Sequence, residues 1–230
     1  MIDRLLSDAK APAQLDRSAG PLHSVADDGI VWEVSKMVPR TVTMKTRTLL
    51  TADDFFALPD DGKRYEVLAG ELYVNPPPAF GHQDVAKRLF LILLPFFEGK
   101  GLAEVFFAPL GVVLGQHDVA EPDLVVVADP AQFSQRGIEG APLLVVEVLS
   151  PSNARHDRVT KAARYLALGV RHYWIVDPGR RHLLCQRADG DRWAVVAEGS
   201  NDSRVTDPSW PGLIVDMQRL WRSPGNARLM

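Results

Sequence analysis

One glutamate interrupts a strongly apolar run near the middle of the chain. Glu147 lies within Leu143–Leu149, where every other residue is Leu or Val, and such a run is typical of a strand buried on both faces. A carboxylate at that position is costly unless it is paired, protonated or bound to a metal. Glu147 is therefore a candidate site residue, although a structural pair with an arginine would also explain it.

A second carboxylate opens the preceding apolar run. Asp123 comes directly before Leu124–Val127. If the two runs are neighbouring strands, its side chain and that of Glu147 converge near one end of the sheet. Two carboxylates, completed by water and phosphate oxygens, are a usual way to hold Mg²⁺. The pair predicts a metal site, whereas Asp123 alone would be an ordinary strand-end residue.

A cation follows on a predicted helix. Asp157, Lys161 and Tyr165 are spaced four residues apart and therefore share one face of that helix. If this face is turned to the carboxylates, the Lys161 ammonium could orient an attacking water or stabilise charge on a phosphoryl oxygen. A solvent-exposed Asp157–Lys161 pair is the structural alternative, and spacing does not decide between the two.

The charge of the chain is unevenly distributed. The formal net charge is −3, yet the segment from Ser152 to Arg187 holds eight basic residues against two acidic ones, a local balance of +6. A local basic region attracts phosphates even when the net charge is negative. On charge alone, a solvated helix face followed by surface arginines is the simpler explanation.

The remaining pattern indicates one α/β domain with a mixed sheet flanked by helices. Thr51 is predicted to cap a short helix that ends at Pro59, and Pro95 is expected to kink or shorten the second helix. The predicted elements are a helix from Thr51, a hairpin over Arg64–Val74, a helix over His82–Glu98, strands over Ala103–Leu114, Asp123–Val127 and Leu143–Leu149, a helix over Asp157–Leu168, a strand over Arg171–Val176, a hairpin over Leu183–Val196 and a terminal strand and helix over Leu213–Trp221.

The composition excludes several classes of protein. The chain has 230 residues, 46% hydrophobic and 24% charged, with Cys185 as its single cysteine, which excludes a disulfide framework and a multi-cysteine zinc site. No apolar run is long enough to span a membrane. The first twenty residues contain Asp3, Asp8 and Asp16 and no apolar core segment, so they do not resemble a secretory signal. We therefore expect a cytoplasmic protein. Residues 1–48 are predicted to be a poorly ordered extension, 49–222 the domain and 223–230 a tail.

Several of these motifs together resemble the Uma2 family, a group of restriction-endonuclease-like proteins within the PD-(D/E)XK nuclease superfamily. The resemblance covers roughly Leu50 to Leu220. The motifs that carry it are Tyr65-Glu66-x-x-x-Gly70-Glu71-Leu72, His82, Pro122-Asp123, Val146-Glu147-Val148-Leu149-Ser150-Pro151-Ser152, Asp157-x-x-x-Lys161-x-x-x-Tyr165-x-x-x-Gly169-Val170 and Tyr173-Trp174-Ile175-Val176-Asp177-Pro178.

The resemblance implies a restriction-endonuclease-like core that binds Mg²⁺ or Mn²⁺ and hydrolyses DNA phosphodiester bonds as an endodeoxyribonuclease. Asp123 and Glu147 would be the metal ligands. The superfamily usually places a lysine two residues after the glutamate, where this chain has Leu149, so Lys161 would replace it. Further residues are assigned by the same resemblance or by the basic segment: Glu66 as an additional catalytic acid, His82, Asp157 and Tyr165 as lining groups, and Arg155, Arg158 and Arg164 as DNA contacts.

Other interpretations stay open. His172 stands where members of the family commonly have an acidic residue, so no role is assigned to that position. The main alternative is a catalytically inactive module that binds nucleic acid or protein on the same fold. A small interaction module that dimerises through a sheet edge near Arg171–Asp177 or through the hairpin Leu183–Val196 is a second. A homodimer would suit cleavage of both DNA strands, whereas nicking would not require one.

Overall fold

The computed structural model describes residues 48–221 of the chain. They form two six-stranded sheets, one two-stranded sheet, one long helix and several short helices. The predicted N-terminal extension (apart from Thr48) and the predicted tail from 223 onward lie outside the described residues. The elements are α1 (Ala52–Phe56), β1 (Arg64–Leu68), β2 (Glu71–Asn75), α2 (Phe80–Phe97), β3 (Glu104–Phe107), β4 (Val112–Gly115), β5 (Asp118–Ala120), β6 (Leu124–Val127), a 3₁₀ turn (Pro130–Gln132), β7 (Phe133–Ser134), β8 (Gly137–Glu139), β9 (Leu144–Val148), a π-helical segment (His156–Lys161), α3 (Ala162–Ala167), β10 (His172–Asp177), β11 (His182–Asp189), β12 (Arg192–Ser200), β13 (Arg204–Val205), β14 (Val215–Asp216) and α4 (Met217–Leu220).

The first sheet has the strand order β2-β1-β5-β4-β8-β7 and the second has the order β12-β11-β10-β9-β6-β3. Each sheet contains one parallel pair, β4 with β8 and β9 with β10, and the remaining pairs are antiparallel. Strands β13 and β14 form a separate two-stranded antiparallel sheet. The predicted α/β class with mixed sheet pairing is confirmed, although the sequence pattern indicated one sheet and the described residues form two large sheets and this small one.

The second sheet is covered on both faces, which explains why its central strands are almost entirely Val and Leu. Along β9, Leu144, Val146 and Val148 pack in the cluster formed with α2 and the C-terminal segment. Val145 and Leu149 point the other way and pack against the first sheet and α3. Glu147 therefore faces the space between the two sheets, since side chains alternate along a strand.

Local signals explain the first elements. Thr51 caps α1 through a reciprocal capping box with Asp54, as the sequence predicted. The β1–β2 hairpin turns at Ala69 and Gly70, both at positive φ. A Cβ added at Gly70 would lie 2.6 Å from the Leu49 Cβ, so this turn requires glycine both for its backbone conformation and for its close packing.

One prediction about the elements was wrong. The segment Ala103–Leu114 is two strands that belong to different sheets: β3 pairs with β6, and β4 pairs with β5 and β8. The chain crosses between the sheets around Pro109, which has no N–H to donate to a ladder. Pro95 lies inside α2, which ends two residues later at Phe97, one residue before the predicted end at Glu98.

The predicted helix over Asp157–Leu168 is present but begins differently. Its first part, His156–Lys161, is π-helical, and only Ala162–Ala167 is an ordinary α-helix. Gly169 ends it at a φ of +91°, as expected for a glycine that terminates a helix. Strand β10 is flanked by β9 and β11, so the predicted exposed edge near Arg171–Asp177 was also wrong. No helix among residues 48–221 is long and apolar enough to cross a membrane.

Candidate active site

Neighbouring strands bring the two predicted metal ligands together. Strands β6 and β9 are antiparallel with Leu124 opposite Val146, so the next pair in the same register is Asp123 with Glu147. Asp123 Oδ2 accepts a hydrogen bond from the Val148 N–H at 2.8 Å. Both carboxylates are buried, with Asp123 8% and Glu147 3% exposed. They occupy one end of the second sheet, as the sequence predicted.

The π-helical segment carries a lysine into the same place. Lys161 Nζ lies 2.8 Å from Glu66 Oε1, 3.0 Å from Glu147 Oε1 and 3.8 Å from Asp157 Oδ1. The Lys161 side chain is only 5% exposed. The face shared by Asp157 and Lys161 is thus turned inward to the carboxylates, and the surface-pair alternative is excluded.

Glu66 comes from the other sheet and is held from three sides. Its side chain is fully buried. Besides the Lys161 ammonium, its Oε1 accepts the Glu121 N–H at 2.8 Å and its Oε2 accepts Asn75 Nδ2 at 2.7 Å. Strand β1 points Glu66 and Leu68 to the same face, and Leu68 packs between the sheets. Glu66 therefore fixes the position of Lys161.

Two other predicted residues hold the carboxylates in place. The Tyr165 hydroxyl donates a hydrogen bond to Glu147 Oε1 at 2.7 Å. His82 Nε2 lies 3.1 Å from Asp123 Oδ2, and its Nδ1 is buried without a hydrogen-bond partner among the described residues. The structure thus brings together Asp123, Glu147, Lys161, Glu66, His82, Asp157 and Tyr165.

The protonation of this cluster follows from its burial. Burial raises the pKa of Glu147 well above its usual range, and the Lys161 ammonium only partly opposes this shift. Burial likewise raises the pKa of Asp157 to about 6. For Lys161, burial favours loss of the proton, but the carboxylates of Glu147, Glu66 and Asp157 outweigh it and raise its pKa. We conclude that Lys161 keeps its proton, because its ammonium contacts three carboxylates.

A cavity of about 400 Å³ opens onto this cluster. Arg64 also lines it and was missed by sequence reasoning. Its side chain is 23% exposed. Arg64 Nε donates to Glu121 Oε2 at 3.3 Å, and Arg64 Nη2 donates to the backbone carbonyl of Glu121 at 3.1 Å. The sequence contained one indication of this role: Arg64 lies two residues before Glu66, and residues two apart in a strand share a face. The cavity is lined by Arg64, Asn75, Pro76, Pro77, Pro78, Ala79, His82, Glu121, Asp123, Glu147, Val148, Ser150, Pro151, Ser152, Asn153, Asp157 and Lys161.

The three arginines predicted to contact DNA do not line this cavity. Arg164 forms a two-pronged ion pair with Asp118. Arg158 donates to Asp177 Oδ2 at 2.8 Å, and Arg155 is exposed. Within residues 48–221, no group of three or more His, Cys, Asp or Glu side chains is arranged to hold a metal ion by itself.

Comparisons with known proteins identify the family and a similar fold. Residues 52–218 match the model of the Uma2 family, described as "Putative restriction endonuclease". A search of curated proteins finds no match. Among solved structures, the fold is similar to that of a putative nuclease belonging to DUF820 from Anabaena variabilis ATCC 29413, with a TM-score of 0.62, 20% sequence identity, and coverage of 75% of this chain and 97% of that one. This identity supports a shared fold and no more. Because the family model covers well over half of the sequence, the chain belongs to the Uma2 family.

Proposed function

We propose that the protein is a metal-dependent nuclease that hydrolyses DNA phosphodiester bonds, with Asp123 and Glu147 as ligands of Mg²⁺ or Mn²⁺. One observation carries the proposal: three buried carboxylates (Glu66, Glu147 and Asp157) contact one lysine ammonium beside an open cavity, and the buried carboxylate of Asp123 lies next to them. Such an excess of buried acidic groups is costly unless protons or a cation neutralise it. The description of the family as restriction endonucleases supports the same reaction class.

The residues present fit a divalent cation with oxygen ligands. Asp123 Oδ2 and Glu147 Oε1 are occupied by protein hydrogen bonds. The second oxygens, Asp123 Oδ1 and Glu147 Oε2, accept none from the described residues, and both side chains line the cavity. Mg²⁺ is commonly held by one or two carboxylates, with water and substrate oxygens completing the shell. Two protein ligands therefore suffice, and a third acidic or histidine ligand is not needed.

Each remaining side chain has a role that follows from its contacts. A divalent ion held by the two carboxylates supplies positive charge that polarises a phosphoryl oxygen. The protonated Lys161 is placed to orient the attacking water or to stabilise the charge that develops on phosphorus-bound oxygen. Glu66 positions Lys161, Tyr165 positions Glu147 and His82 positions Asp123.

Contacts to the DNA backbone are proposed for three arginines outside the carboxylate cluster. Arg64 lines the cavity and is partly exposed, so its guanidinium can bind the phosphate that enters. Arg155 and Arg158 precede Lys161 on the same helical segment and are proposed as further phosphate contacts, which position DNA without reading its sequence. Arg64 and Arg158 each make one nitrogen–carboxylate contact, with Glu121 and Asp177. Arg164 is omitted because two nitrogens of its guanidinium are held by the buried Asp118.

The test is nicking of supercoiled plasmid in Mg²⁺, Mn²⁺ or EDTA by the wild-type protein and by Asp123→Asn and Glu147→Gln prepared identically. Asp118→Asn serves as a matched control, because Asp118 is equally buried but its carboxylate pairs with Arg164. We expect metal-dependent nicking that both site variants lose and the control keeps. Nicking that persists in the site variants would remove these residues from the mechanism. Absence of nicking in every protein would favour an inactive binding module.

A further inference from the structure

A second hollow adjoins the candidate active site on the other side of Asp123. It measures about 380 Å³ and is walled mainly by apolar side chains of α2 and β3, among them Ala86, Phe90, Leu91 and Phe107. Asp123 lines both this aromatic hollow and the polar cavity. The two spaces therefore adjoin at one residue, and one of them is polar and the other apolar.

Two large apolar side chains that line the aromatic hollow are mostly exposed to solvent. Phe107 is 61% and Leu91 58% exposed. The rings of Phe90 and Phe107 meet edge to face, with centroids 5.1 Å apart and an interplanar angle of 76°. This arrangement leaves a face of the Phe107 ring free for a flat group to stack on.

Strand pairing places Phe107 close to Asp123 along the backbone, at the same end of the second sheet. Phe107 is opposite Leu124 in the β3–β6 register, one residue from Asp123, and the Ala108 N–H donates to the Asp123 carbonyl at 3.1 Å. The Phe107 side chain lies on the α2 face with Leu124, and Asp123 is the residue that lines both spaces. A ligand that fills both spaces must therefore pass this end of the sheet, with a flat group in the hollow and an anionic group in the polar cavity. A nucleotide has this form, because one sugar separates its flat base from its phosphate.

We propose that the aromatic hollow binds one unpaired nucleobase next to the scissile phosphate, so that the substrate is single-stranded DNA or DNA with an unpaired or extruded nucleotide at the cleavage site. This inference rests on the proposed function. A base within a duplex has both faces stacked on its neighbours and cannot enter such a hollow, whereas an unpaired base can stack on an aromatic side chain. The volume is at the small end of the range for small-molecule sites, which suits one nucleoside.

Binding measured without turnover tests the proposal. We would record fluorescence anisotropy of a labelled single strand, the matching duplex and an abasic strand in Ca²⁺, an oxygen-liganded ion, and in EDTA. Phe107→Ala should bind the single strand at least about fivefold more weakly, since stacking of one base is worth roughly 1–3 kcal/mol. Phe107→Tyr should retain binding, and the weak binding of the abasic strand should not change.

Phe133→Ala is the matched control. Phe133 is also an exposed strand residue, 40% exposed, and its ring meets that of Phe106 edge to face at 5.6 Å, but it is not among the residues that line either cavity. Leu91→Asp is a second variant in the hollow and should also weaken single-strand binding. Thermal unfolding of each variant establishes that the fold is kept.

Three results would overturn the proposal: no binding of the single strand by the wild-type protein, equal binding by Phe107→Ala and Phe133→Ala, or an equal loss for the duplex and the abasic strand. A dimer that Phe107→Ala converts to a monomer in light scattering would assign the surface to self-association instead. If the protein binds the single strand more tightly than the abasic strand but shows no metal-dependent cleavage, the proposed function is contradicted while the proposed base-binding site is supported. If the wild-type protein cleaves DNA in a metal-dependent way but Phe107→Ala does not weaken single-strand binding, this inference is contradicted and the proposed function is not.

Discussion

Two buried acid–base clusters contact the helical segment from His156 to Ala167, and they differ in how their charges balance. Asp118 is 2% exposed and receives both prongs of the Arg164 guanidinium together with the Ala69 N–H. This cluster has one negative and one positive charge. One helical turn earlier, Lys161 meets Glu66, Glu147 and Asp157, with Asp123 beside them, so negative charge is in excess.

The difference separates a structural pair from a candidate site. A matched, hydrogen-bonded pair needs no further partner, and Asp118 does not line the polar cavity. An unmatched group of carboxylates is unfavourable in the empty protein and becomes favourable when a cation enters. The same helix therefore carries a matched ion pair and a cluster whose charge a bound cation would complete, as we propose. The predictions below test this distinction.

The largest expected effect is on catalysis. Replacing Lys161 with Met removes the ammonium beside the proposed metal ligands, and we expect metal-dependent nicking to fall by roughly 10²–10³-fold, as for the loss of one preorganised charge-stabilising donor. The rate should be measured per folded protein, since the substitution also leaves Glu66 and Glu147 without their counter-charge. A Lys161→Met protein that nicks at the wild-type rate would contradict the role of Lys161.

Metal-coupled stability is the second expected effect. At a Mn²⁺ concentration about one hundred times its Kd, a bound ion raises the free energy of unfolding by about 2.7 kcal/mol. Urea unfolding with Mn²⁺ and with EDTA should show this increment in the wild-type protein and in Asp118→Asn, and its loss in Asp123→Asn. An increment that survives in Asp123→Asn would place the ion elsewhere.

The pairing of Asp123 with Glu147 could be predicted from sequence because each residue belongs to a strand that is apolar on both faces. Asp123 directly precedes one apolar run, and Glu147 lies within the next. Such runs belong in the middle of a sheet, and two central strands that follow each other along the chain tend to be neighbours. Their ends then bring the carboxylates together without any knowledge of the rest of the fold. Helical spacing placed Asp157 and Lys161 on one face but did not decide whether that face is buried, and the structure shows that it is.

The parts that escaped prediction depend on contacts between distant elements. That Glu66 meets Lys161 depends on how the first sheet packs on the second, and no periodicity in β1 reports this packing. Arg164 looked like a free cation because its partner Asp118 is 46 residues away in the sequence. The division of Ala103–Leu114 between two sheets was hidden by a continuous apolar pattern that both strands share.

A third prediction concerns the stability of the matched pair. Arg164→Met leaves the carboxylate of Asp118 buried without its counter-charge, and breaking a buried pair in this way costs about 3–5 kcal/mol. Because the Arg164 side chain is 31% exposed, we expect a smaller loss of roughly 2–3 kcal/mol in the free energy of unfolding. The double variant Asp118→Asn/Arg164→Met should recover part of it in urea unfolding. No recovery would mean that the packing of the Arg164 side chain, not its charge, stabilises this region.

The smallest expected effect is a pH dependence confined to the unmatched cluster. Burial raises the pKa of Asp157 from 3.8 to about 6, so between these values the folded state holds this proton more firmly than the unfolded state. Its contribution to stability is therefore complete below about pH 4, falls as the pH rises, and levels off above about pH 6. Relative to Asp157→Asn, the wild-type protein should lose about 1–2 kcal/mol of unfolding free energy between about pH 4.5 and pH 7.

Urea unfolding of both proteins at the two pH values in EDTA measures this difference, and a constant difference would show that Asp157 titrates as an ordinary exposed carboxyl. Repeating the series with Mn²⁺ sharpens the comparison. A cation in the cavity favours the ionised form of Asp157, so the loss of stability with rising pH should become smaller. Asp118→Asn should leave the effect of Mn²⁺ on this pH dependence intact, because the carboxylate of Asp118 pairs with Arg164 and Asp118 does not line the cavity.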